Sequence, residues 1–147
     1  MSTVAPLLDG AVVLDLFAGS GALGIEALSR GAQHVTFVDS APAAIRVIRS
    51  NLESLGAERT RYRIVRGDAL RFAGSVEPGS FDLAFADPPY GSNAASDLAA
   101  LFRRRPFARR LGIEHARGDS IGEGPDLVER RYGDTVLSFL TAPDDSS

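Results

Sequence analysis

The four residues Asp87-Pro88-Pro89-Tyr90 carry the clearest chemical signature in this chain. Each proline fixes its own φ and restricts the residue before it, so the segment is stiff. Neither proline has an N–H, so the local surface presents hydrogen-bond acceptors only. That suits a donor substrate. The plain alternative is a rigid turn after a strand. A second segment carries three glycines, Gly19, Gly21 and Gly24, at the spacing G-x-G-x-x-G. They lie between an apolar run, Val13-Leu14-Asp15-Leu16-Phe17, and a helical pattern from Ala22 to Arg30 that places Leu23, Ala27 and Leu28 on one side. On a strand-to-helix turn this spacing has a use. Gly19 permits the tight turn, Gly21 lets the backbone approach a ligand, and Gly24 lets the helix pack on the strand. The first helical N–H groups then face the bound molecule, and a nucleotide-like ligand is expected at the end of the first strand.

A second strand, Val35-Thr36-Phe37-Val38, ends on Asp39, which can accept hydrogen bonds from both hydroxyls of a ribose. NAD and S-adenosylmethionine fit that residue equally well. The tie is broken by Asp87 to Tyr90, which a dehydrogenase leaves unexplained. Together, Asp15-Leu16-Phe17-Ala18-Gly19-Ser20-Gly21 and Asp87-Pro88-Pro89-Tyr90 resemble the family that methylates a guanine N2 in small-subunit (16S) ribosomal RNA. The resemblance runs from about Leu8 to Leu140 and is strongest over Val13 to Asp39 and Phe81 to Tyr90.

The resemblance implies S-adenosyl-L-methionine as cofactor. Its contacts fall on Asp15, Phe17, Ala18, Gly19, Ser20 and Gly21 in the loop, and on Asp39, Ser40, Asp68, Ala69 and Asp87 at later strand ends. Asp87, Pro88 and Tyr90 become the catalytic set, and Pro89 and Tyr90 meet the substrate. An exocyclic amine is a poor nucleophile, because its lone pair is delocalised into the ring. As the family's mechanism implies, the Asp87 carboxylate and the Pro88 carbonyl accept its two hydrogens and free that lone pair, while Tyr90 stacks on the base. Stacking is worth roughly 1–3 kcal/mol elsewhere. The methyl group already sits on a sulfonium, so no metal is called for. The base must be unstacked to enter.

The elements that must position these residues follow in order. Ala41 to Leu55 reads as a helix, with Pro42 in its first turn and a stripe of Ala44, Ile45, Ile48, Leu52 and Leu55. Asn51 lies on it and receives no chemistry. His34, at the entry edge of the second strand, reads as a surface residue. Tyr62 to Arg66 reads as a third strand, followed by Asp68, which either caps the next turn or accepts from an adenine amino group. The resemblance favours adenine. Phe72 to Ser80 reads as a connection, Phe81 to Ala86 as a fourth strand, and Ala94 to Arg104 as a helix with Leu98, Leu101 and Phe102 inside. Leu111 to His115 reads as a short fifth strand, with His115 in a structural role rather than as a general base. Leu127 to Arg131 and Thr135 to Thr141 form a terminal hairpin. The sum is an α/β, Rossmann-like class I methyltransferase sheet, mostly parallel with a C-terminal antiparallel hairpin and helices on both faces. Residues 1–141 make one domain, and a disordered tail is expected over 142–147.

Composition leaves the substrate open. The 147 residues are 44% hydrophobic and 24% charged, with no cysteine and a net charge of −3. No membrane-length run appears, so a cytoplasmic protein with no membrane partner is expected. All 16 cations are arginine, and five lie between Arg103 and Arg110. Arg103, Arg104 and Arg105 head this candidate phosphate-contacting patch, and a solvated helix end is the alternative. The expected partner is ribosomal RNA, within an assembling small subunit. Relatives carry a longer N-terminal segment, and Ser2-Thr3-Val4-Ala5-Pro6 has no helical pattern able to replace it. That leaves two alternatives: a non-catalytic cofactor-binding module, or a DNA adenine-N6 methyltransferase. The second uses the same tetrapeptide but usually needs a target-recognition domain, for which there is no room.

Overall fold

The computed structural model describes residues 8–119, 121–122 and 124–143. The segment Ser2 to Pro6 and the tail from residue 144 lie outside it. Strands β1 (Val12–Leu16), β2 (His34–Asp39), β3 (Tyr62–Arg66), β4 (Phe81–Ala86), β5 (Ala108–Ala116), β6 (Leu127–Tyr132) and β7 (Thr135–Thr141) form one sheet. Its order is β3-β2-β1-β4-β5-β7-β6. The first five strands pair in parallel, and β7 runs antiparallel to both β5 and β6. Helices α1 (Ala22–Ser29), α2 (Pro42–Ser54), α3 (Ala69–Ser75) and α4 (Ala94–Arg104) connect the parallel strands.

Burial on both faces explains why the central strands are apolar throughout. On one face Val13, Val35, Phe37, Leu83 and Phe85 pack under Ala27 and Leu28 of α1 and Ile48 and Leu52 of α2. On the other, Leu14, Leu16, Val38, Ala84 and Ile113 pack under Ala73 of α3 and Leu98 and Phe102 of α4. Gly24 is fixed by the first layer: a Cβ there would lie 2.3 Å from Phe37 Cε1 and 2.9 Å from Val35 Cγ1. The absent side chain lets α1 sit directly on β2.

Four expectations change. The connection expected over Phe72 to Ser80 begins as helix, because Asp68 caps α3 and the small residues Ala69 and Ala73 bury against the sheet. The fifth strand starts at Ala108 rather than Leu111, extended by two exposed arginines, Arg109 and Arg110. Leu55 is 66% exposed, since α2 ends one residue earlier and turns away at Gly56. Ala142, expected in the tail, still donates from its backbone to Arg109 O at 2.8 Å.

Candidate functional site

In a doubly wound sheet the ligand crevice opens at the carboxyl ends of the strands, where neighbouring connections leave in opposite directions. Here β1 is flanked by β2 and β4, so that point lies between β1 and β4. The glycine loop follows β1 and Asp87 to Tyr90 follow β4, so both reach the same rim. Asp39, Asp68 and Glu114 occupy the rim ends of β2, β3 and β5.

The loop is held from three sides. Asp39 Oδ2 accepts from Gly19 N at 2.9 Å and Oδ1 from Ala41 N at 2.9 Å. A carboxylate has about four lone-pair positions, so two remain for a ligand's hydroxyls. Asn51 Nδ2 donates to Ser20 O at 3.0 Å, and Ala18 N donates to Val38 O at 3.0 Å. Gly19 and Gly21 adopt positive φ of 59° and 81°, as the sequence requires. So does Phe17, at 55°, where a side chain costs about 1–2 kcal/mol. That strain turns the chain out of β1 and into the loop. Nothing in the helical pattern of the sequence marks Asn51 as the side chain that reaches back over 31 residues.

Asp15 lies beneath the loop, 2% exposed, and accepts from Gly24 N at 3.1 Å. Burial outweighs that hydrogen bond, and Asp39 and Asp87 add like charge, so its pKa is pushed up to about 8. The native state therefore holds a proton that the unfolded chain releases near pH 4. Through this group, stability is fully present below that pH and is lost as pH rises through about 8. His34, lowered by burial and Arg63, acts in the opposite sense only below its ordinary 6.5. Between pH 6.5 and 8, cofactor-free protein should lose up to about 1.4 kcal/mol per pH unit on this account. Asp15→Asn should flatten that slope in denaturant titrations at several pH values. A slope unchanged by the substitution would mean that Asp15 is ionised in the native state.

Asp87 is open to solvent on its outer side, yet partial burial at the strand end raises its pKa. Pro88 is buried and Pro89 exposed. Ser92 Oγ donates to Pro89 O at 2.7 Å, closing the turn before α4. Tyr90 is 54% exposed, and its hydroxyl shares a hydrogen bond of 3.0 Å with Thr135 Oγ1 at the start of β7. An aromatic face held at the rim by its far end is a ready stacking platform.

A model of the family described as Conserved hypothetical protein 95 matches residues 1–140. The chain belongs to this family. It is 39% identical over 138 residues to the putative rRNA methyltransferase YlbH of Bacillus subtilis, covering 92% of this chain and 72% of that one. Against the ribosomal RNA small subunit methyltransferase D of Haemophilus influenzae, identity is 34% over 97 residues, covering 65% of this chain and 50% of that one. The chain thus spans about half the length of that relative. Among solved structures, the putative methylase HI0767 from Haemophilus influenzae superposes with a TM-score of 0.84 at 25% identity, over 97% of this chain and 93% of that one. The putative methyltransferase yhhF from Escherichia coli gives 0.82 at 25% identity, over 97% and 82%. The fold is a Rossmann-like class I methyltransferase fold.

Not every residue expected at this family's site reaches it. Asp68 does stand at the rim, but its Oδ2 accepts from Arg71 N at 2.9 Å, so it caps α3 as well. Ser40 and Ala69 follow their strand-end acids directly. Arg103, Arg104 and Arg105 do not join the rim. Helix α4 begins beside it and runs back for 11 residues, about 16 Å, leaving them at the amino edge of the sheet. Arg103 is further committed there, donating to Ile121 O and to Asp126 at 3.4 Å. His115 is 3% exposed and hydrogen-bonded to Ser138 Oγ at 2.7 Å and Ala116 O at 2.9 Å, a structural role. A cleft of about 780 Å³ opens at the same amino edge, lined by Asp9, Gly79, Asp82 and Arg109 among others. It is remote from every strand end just described.

Proposed function

We propose that this chain transfers the methyl group of S-adenosylmethionine to the exocyclic N2 amine of a guanine in small-subunit ribosomal RNA. The observation that carries the reading is the meeting of a nucleoside cradle and an acceptor-rich tetrapeptide on adjacent strands, β1 and β4. Asp39 would hold the ribose hydroxyls, and Ala69 and the free oxygen of Asp68 would meet the adenine. The loop from Phe17 to Gly21 would pass close to the cofactor's amino-acid end. When bound, the cofactor supplies an electrophilic methyl group on a sulfonium. The rim that receives it carries Asp39, Asp68 and Asp87, acidic side chains that complement a cationic ligand.

The chain's own contribution is positioning and hydrogen bonding. The Asp87 carboxylate and Pro88 carbonyl accept the amine's hydrogens, and Tyr90, braced by Thr135, fixes the plane of the base. Asp87, with its pKa raised, is also placed to take up the proton that the amine sheds. Relatives named as rRNA methyltransferases support RNA as substrate. An assembling subunit in the cytoplasm is the setting we propose; among the described residues no helix is long and apolar enough to cross a membrane.

Tritiated-methyl transfer to ribosomal RNA and partly assembled small subunits, taken from cells lacking the enzyme, tests the reading. Nuclease digestion should place the label in N2-methylguanosine. Label in adenine, or in DNA alone, would refute it.

A further inference from the structure

We infer that Glu114 reads the base: it is placed to accept the ring N1–H of the target guanine beside the amine that Asp87 activates. This rests on the methyl-transfer reading above and assigns a residue that the reading leaves unused. The sheet itself supplies the ruler. In the order β3-β2-β1-β4-β5 the rim presents Asp68, Asp39, the glycine loop, Asp87 and then Glu114, with neighbouring strands about 4.8 Å apart. A cofactor held from β3 to β1 brings its reactive end to β4, so the base must approach Asp87 from the β5 side. Glu114 is the side chain waiting there.

Register brings the two residues together. The parallel β4–β5 ladder ends with Ala86 opposite Ile113, so Asp87 and Glu114 are the next residue on each chain. On its other side Glu114 is opposite Leu137 of β7, which offers it no donor. Glu114 as a residue is partly buried, and among the described residues no hydrogen bond or ion pair holds its carboxyl. Burial, with Asp87 second, raises its pKa, as expected for two acids sharing a narrow site. A partly shielded carboxylate without a donor gives up some of its water and gains no partner in return. It becomes useful when a ligand brings the donor.

Guanine brings two adjacent donors on its Watson–Crick edge, N1–H and the N2 amine. Adenine presents its amine next to an N1 that is an acceptor, which a carboxylate repels. An acceptor pair therefore favours guanine for a reason separate from activation of the amine, which either base would satisfy. Sites built to hydrogen-bond an N–H reject analogues lacking it by large factors.

The probe is 2-aminopurine, which keeps the N2 amine but has an acceptor at N1. An RNA fragment spanning the mapped target would carry either guanine or 2-aminopurine at that position. The intact chain should methylate the guanine fragment with at least tenfold higher kcat/KM. In Glu114→Gln, whose amide can donate to N1, that ratio should fall at least tenfold, with cofactor affinity by calorimetry unchanged. Glu114→Asp, which keeps the charge, should retain a preference for guanine. Equal rates on the two fragments with the unmodified protein would overturn the inference without any variant. So would a ratio that Glu114→Gln leaves alone, since a merely structural Glu114 would lower both rates together. Failure of the unmodified protein to methylate any RNA would defeat the methyl-transfer reading, and this inference with it.

Discussion

Asp87→Ala is expected to cut methyl transfer at least ~100-fold while leaving S-adenosylmethionine affinity nearly intact. The substitution removes the acceptor that matters most as the amine pyramidalises, and it touches none of the hydrogen bonds that hold the glycine loop. Asp87→Asn keeps a carbonyl oxygen and should lose less, because one acceptor survives although the charge does not. Single-turnover rates with saturating cofactor, set beside calorimetric affinities, separate the two effects. Normal turnover by the alanine variant would dismiss the activation scheme. A parallel loss of cofactor binding would move Asp87 from the chemistry into the cradle.

Asp39→Ala should act on the opposite side of the rim. Cofactor affinity should fall by about 1.5–3 kcal/mol, the range for hydrogen bonds to a charged group. Two causes add here. The ribose hydroxyls lose their acceptor, and Gly19 N and Ala41 N lose the carboxylate that now fixes the ends of their turns. Calorimetry on a variant with native circular dichroism is the measurement. Affinity unchanged within twofold would take Asp39 out of the site.

The sheet was legible in the sequence because its central strands are buried on both faces and announce themselves as apolar runs. The rim was legible for a different reason: Asp39, Asp68, Asp87 and the glycines stand at or just after a strand end, so locating the strand end located the residue, whereas Glu114 lies inside its strand and went unmarked. What escaped depended on partners far along the chain. Phe72 to Ser75 looked like a linker until Ala73 found the sheet. Asn51 looked inert until its amide met Ser20. The arginines from Arg103 to Arg110 fall where a helix end leads into a strand start. Sequence proximity could not say at which edge. The direction of α4 decides that, and it points away from Asp87. Phe17 carried no warning either, for nothing in a phenylalanine announces a left-handed backbone.

The last strand of the sheet to be synthesised is not its edge. β7 lies between β5 and β6, so β6 emerges from the ribosome with no strand to pair with until β7 follows it. The same strand brings Thr135 to the hydroxyl of Tyr90, 45 residues earlier. Maturation of the site is therefore ordered in time. The cradle made by β1, β2 and the loop between β1 and α1 closes over short stretches of chain, and such local contacts form first. The aromatic platform receives its brace only when β7 has been made. A nascent chain would thus hold its glycine-loop cradle well before the Tyr90 face is braced.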